Sequence, residues 1–69
     1  MAIKYTAICS NDTHDFYVAK LGDRRWFAYA WHTGVAAGSC VADVMAGFTT
    51  KRAAVAAAHA WTEWVTLAD

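Results

Sequence analysis

FYVAKLGDRRWFAYAWH, residues 16–32, joins two runs of large apolar side chains through a Gly-Asp pair. Period-two alternation along each run is the mark of a half-buried strand, and a glycine at the centre tolerates the positive φ of a tight turn. The stretch therefore predicts a β-hairpin, strands 16–21 and 24–32 about a turn at Gly22-Asp23. With that turn Ala19 faces Trp26, Val18 faces Phe27, Tyr17 faces Ala28 and Phe16 faces Tyr29. One side of the hairpin then carries Phe16, Val18, Phe27, Tyr29 and Trp31. The other carries Tyr17, Ala19, Leu21, Arg24, Trp26, Ala28, Ala30 and His32.

On the N-terminal side, AIKYTAIC (residues 2–9) alternates as another strand, and SNDTHD (10–15) gathers turn formers. On the C-terminal side TGVAAG (33–38) reads as a loop and SCVADVM (39–45) as a further strand. From Thr49 or Thr50, either of which offers a capping hydroxyl, the period changes to that of a helix. Its apolar face holds Ala54, Ala57, Ala58, Trp61, Trp64, Val65 and Ala68, with Arg52, His59, Glu63 and Thr66 opposite. No proline, repeat or low-complexity linker divides the chain, so residues 1–69 read as one small domain. The fold class is α+β, a three- to four-stranded antiparallel sheet packed on one C-terminal helix.

A helix faced mostly with alanine leaves room for large side chains opposite. That assigns Phe16, Val18, Phe27, Tyr29 and Trp31 to the core and leaves the second face open. Tyr17, Arg24, Trp26 and His32 on that open face are the candidate partner-binding residues, because Trp, Tyr and Arg dominate binding hot spots. The partner is a different protein or a second copy of the chain, since 58% of the residues are hydrophobic and 14% aromatic, more than one small core hides.

Six basic and six acidic residues give a formal net charge of zero. Nucleic-acid binders normally carry a basic excess, so only a local patch supports that function. Its members are Lys20, Arg24, Arg25, Lys51 and Arg52. Lys51 and Arg52 stand in the first helical turn, where the helix dipole disfavours cations. A local rule broken without compensation marks a place to look for function. No Cys or His pair has metal-ligand spacing, no thiol has a local partner, and the Asp12/Asp15 and Asp23/Asp43 carboxylates read as solvated. The expectation is a non-enzymatic protein without metal or cofactor. No signal-like or membrane-spanning run is present, and Cys9 and Cys40 read as reduced thiols of a cytoplasmic protein.

The segments Trp26–Trp31 and Gly47-Phe48-Thr49-Thr50-Lys51-Arg52-Ala53-Ala54 resemble the arm-type DNA-binding domain of tyrosine recombinases and, more distantly, the plant ethylene-responsive DNA-binding domain. The resemblance covers residues 16–65. It implies a three-stranded sheet on one C-terminal helix, with the sheet face away from the helix entering the major groove through several Arg or Lys residues. Here that face holds Arg24 alone beside Tyr17, Trp26 and His32, and the following strand contributes Asp43. The resemblance therefore implies the scaffold, with its face turned from phosphate toward protein. In size and make-up the chain is similar to accessory proteins of phages and mobile elements, including inhibitors of host defence complexes such as anti-CRISPR proteins.

Overall fold

The computed structural model describes residues 3–39 and 42–68, with helix side chains as far as residue 63. Four strands, β1 (Thr6–Ser10), β2 (His14–Gly22), β3 (Arg25–His32) and β4 (Asp43–Phe48), are followed by one helix, α1 (Lys51–Ala68). The strands form one antiparallel sheet in the order β1-β2-β3-β4 with α1 across one face, the α+β arrangement expected. The fourth strand is displaced from the expected 39–45 to Asp43–Phe48, so the Gly47-Phe48 pair of the resemblance ends a strand. Gly47 adopts φ 97°, where β4 bulges against β3.

The hairpin differs from expectation in its turn and by a bulge at Leu21, between Lys20 and Gly22, and together these slip the pairing beyond the bulge by one residue. Gly22 stays in the ladder opposite Arg25, and Asp23-Arg24 make the turn, with Arg24 at φ 54°. The pairs are Lys20↔Trp26, Ala19↔Phe27, Val18↔Ala28, Tyr17↔Tyr29 and Phe16↔Ala30. A one-residue slip sends every side chain of one strand to the other face. Phe16 and Val18 meet the helix as expected, but Phe27, Tyr29 and Trp31 lie on the far side, and Trp26, Ala28 and Ala30 turn toward the helix. The correction has a packing cause. The chosen register sets large beside small under the helix, Phe16 beside Ala30 and Val18 beside Ala28, and puts Phe27 beside Ala19 and Tyr17 beside Tyr29 on the far side. The slipped register would crowd five large side chains under the helix and leave the other face shallow.

On the helix side, Ala54, Ala58 and Trp61 of α1 close over Phe16, Val18, Ala28 and Ala30, with Trp26, Met45 and Phe48 packed at the margin. The Trp61 ring sits edge-on to Phe16, centroids 5.5 Å apart. Arg52, His59 and Glu63 are exposed as expected, while Trp64, Val65, Thr66 and Ala68 lie outside the described side chains. Thr50 is the cap: its Oγ1 accepts from Ala53 N–H at 3.1 Å. At the other end, Asn11 Oδ1 accepts from the N–H groups of Thr13 and His14 at 2.9 and 2.8 Å, shaping the β1–β2 turn. The Asn11 amide also donates to the Thr62 carbonyl at 2.9 Å, fastening that turn to α1.

Two substitutions check the core and the turn by chemical denaturation. Phe16→Ala removes a fully buried ring and is expected to cost about 3–5 kcal/mol. Arg24→Gly is expected to stabilise by about 0.5–1 kcal/mol, because glycine escapes a left-handed penalty of roughly 1–2 kcal/mol and loses part of that gain as entropy. In the Gly22-Asp23 turn the second change would have no such benefit.

Candidate binding surfaces

The four residues expected to meet a partner do not share one surface. Tyr17 lies half-buried on the sheet face away from the helix, its ring 5.5 Å from Trp31. Arg24 is exposed in the hairpin turn. Trp26 is half-buried on the helix side, packed against the core. His32 is exposed at the opposite end of the hairpin, its ring tilted by 32° against His14 at 4.3 Å. The grouping fails with the register, and Trp26→Ala is now expected to destabilise the fold.

The face away from the helix is an aromatic layer with a partial roof. Trp31 stacks on Tyr29, centroids 5.3 Å apart and planes at 10°, and Phe27 follows at 6.3 Å. Tyr5 meets both Tyr29 and Trp31 edge-on. Residues 38 and 39, after β3, lie over this layer: Trp31 Nε1 donates to the Ser39 carbonyl at 3.2 Å, and Gly38 lies against the Tyr5 ring. Trp31 is only 2% exposed as a result. Phe27, at the end of the row, stays half-exposed.

The charges are sorted by strand direction. β2 runs toward the Asp23-Arg24 turn, β3 runs back from it, and α1 starts beside the end of β4, which pairs with the start of β3. Lys20, Arg24, Arg25, Lys51 and Arg52, five of the six basic residues, therefore gather at one end, with Asp23 as the accompanying acid. Asp12 and Asp15 in the β1–β2 turn region, Asp43 opposite Ala30, and Glu63 next to the Thr62 anchor all lie at the other end. The first turn of α1 has no acidic residue and its last turn no basic one. The positive end of the helix dipole thus adds to the cationic end of the molecule. Zero net charge conceals two poles. The expected nucleic-acid residues are the ones that converge, and the sequence sum could not show it because a sum has no positions.

At the basic pole the β3–β4 ladder breaks. Trp26 pairs with Phe48 and Ala28 with Met45, so Phe27 stands against both Ala46 and Gly47. Bulges of this kind commonly border binding sites. A mainly apolar cleft of about 260 Å³ opens there, with Arg24 and Arg25 on one side and Phe48 and Thr49 on the other.

Among the described residues no helix is long and apolar enough to cross a membrane, and no group of three or more His, Cys, Asp or Glu is placed to hold a metal. Cys9 is a free thiol whose pKa burial raises, and Cys40 lies outside the described residues. No protein-family model, curated protein or solved structure matches the chain.

Burial also raises the Tyr29 pKa, helped by the charge of neighbouring Tyr5. Both Cys9 and Tyr29 are neutral in the fold and hold their protons longer than in the unfolded chain. Their contribution to stability is complete below the ordinary values, 9.0 for the thiol and 10.0 for the phenol, and disappears as pH rises through the raised ones. Denaturation against pH is expected to show a loss beginning near pH 9, with Tyr29→Phe shrinking its upper part.

Proposed function

We propose that this chain is a non-catalytic binding module that holds nucleic acid at its basic pole. The observation that carries the reading is charge segregation: Lys20, Arg24, Arg25, Lys51 and Arg52 at one end, with α1 adding the positive end of its dipole. Like charges so gathered repel one another, and neither α1 nor the hairpin gains stability from the arrangement. A polyanion relieves that repulsion and releases counterions on binding. The contact differs from the one implied by the recombinase resemblance, since it uses the hairpin tip and helix start instead of the sheet face.

Fluorescence anisotropy with DNA and RNA oligonucleotides at two salt concentrations tests the reading. With four or five phosphates engaged, the logarithm of affinity is expected to fall against log salt with a slope of about −3 to −4. Arg25→Glu should weaken binding across all sequences and reduce that slope by about 1 or more. Absence of binding at low salt, or a slope that ignores Arg25→Glu, refutes it.

A second reading is a protein-interaction module of the phage accessory type, an inhibitor of a host complex, working through the face away from the helix. What favours it is the half-exposed Tyr5, Tyr17 and Phe27 on that face together with Val44, 49% exposed on β4. Under this reading Tyr17→Ala removes capture of a host protein and Arg25→Glu does not. A second copy of the chain on the same face would instead appear as a dimer in a sizing measurement.

A further inference from the structure

The cleft at the ladder break indicates which part of a nucleic acid the basic pole takes. We propose that it seats one unstacked base of a single strand against the Phe27 ring, with Arg24 and Arg25 on the adjoining phosphates. This rests on the nucleic-acid reading above and adds strand type and contact mode to it.

Three observations meet at this point. Trp31, Tyr29 and Phe27 form a row of rings, the first two stacked at 5.3 Å and the third tilted by 31° at 6.3 Å. The row starts under the Ser39 carbonyl and runs toward the basic pole, where Phe27 lines the cleft. A base there continues a stack that the protein has already built. Secondly, the strand beside Phe27 is bare: Gly47 lines the cleft without a side chain, and a Cβ placed on it would meet nothing within 4 Å. Thirdly, the size suffices. An enclosed cavity of about 150 Å³ accepts benzene, so a cleft of about 260 Å³ has room for one heteroaromatic base. A base inside a duplex is stacked on both sides and cannot enter without being flipped out.

The occupant follows from the charges at the mouth. Apolar walls alone would suit many ligands, but Arg24 and Arg25 flank the opening with Lys51 and Arg52 beyond it. Such a pairing of ring and cations is the stacking platform and charged groove by which proteins hold single strands without reading sequence.

The test uses anisotropy titrations of the full chain with three probes of about 12 nucleotides, within the usual site size: an oligothymidylate, an abasic strand, and a duplex. The wild type is expected to bind oligothymidylate roughly 5- to 150-fold more tightly than the abasic strand, the range one base–aromatic stack supplies. The duplex should also bind more weakly. Phe27→Ala should lower oligothymidylate affinity to that of the abasic strand, while Phe27→Tyr, which keeps a ring, retains the preference. Ala46→Leu fills the cleft from an exposed position and should have the same effect as Phe27→Ala without disturbing the core. Equal affinity for oligothymidylate and abasic strand overturns the base-in-cleft proposal. So does unchanged oligothymidylate binding by folded Ala46→Leu. If all three probes bind equally and lose affinity with salt, only this inference falls. If none binds at low salt, the nucleic-acid reading falls with it.

Discussion

Everything in this fold depends on the register of β2 against β3. The pairs Phe16↔Ala30 and Val18↔Ala28 create a corrugated surface into which Ala54, Ala58 and Trp61 of the helix fit. The same pairs send Phe27, Tyr29 and Trp31 to the reverse face, where Tyr5 and residues 38 and 39 cover them unequally. A small chain with sixteen alanines gets little hydrophobic stabilisation from each alanine. It compensates by placing every alanine of the hairpin next to a ring or a valine, so the small residues set how closely the large ones approach.

Much of this was legible in the sequence. The helix, a threonine cap at 49 or 50, the β1–β2 turn and a sheet of three to four strands follow from periodicity and from residue types with specific backbone preferences. The register did not follow, because alternation says that a strand has two faces and gives no sign of the extra residue, Leu21, that bulges out of β2 beside the turn and exchanges them. Glycine at position 22 is the cheaper choice locally. The Asp23-Arg24 turn and the Leu21 bulge together set the observed register, and the positive φ of Arg24 costs roughly 1–2 kcal/mol, less than the several kcal/mol at stake in packing five large side chains under an alanine-faced helix. Tertiary packing thus overrides turn chemistry. The fourth strand was misplaced for a related reason: Asp43, Ala46 and Gly47 favour strands poorly, and only pairing with β3 holds them extended.

The candidate site divides in the same way. The cations were identifiable as residues, and Lys51 and Arg52 stood out by opposing the helix dipole. Their convergence with Arg24 and Arg25 needed the topology, because residues more than twenty positions apart in sequence become neighbours only when β4 returns alongside β3. Conversely, Tyr17 and Trp26 looked like one surface and are separated by the thickness of the sheet. Phe27, read as core, is the ring that borders the cleft.

The two poles also govern how copies of this molecule meet one another. A cationic end and an anionic end on one small body are complementary, and a head-to-tail contact of that type leaves a free pole at each end, to be extended into an open chain or closed into a ring. Near the sequence pI of about 6.8 there is no net charge to hold copies apart, and at low ionic strength the Debye length reaches roughly 30 Å, enough for one pole to attract the other across solvent. A charge distribution of this kind disfavours solubility in dilute neutral buffer and favours it as added salt screens the poles, the behaviour of a zwitterion.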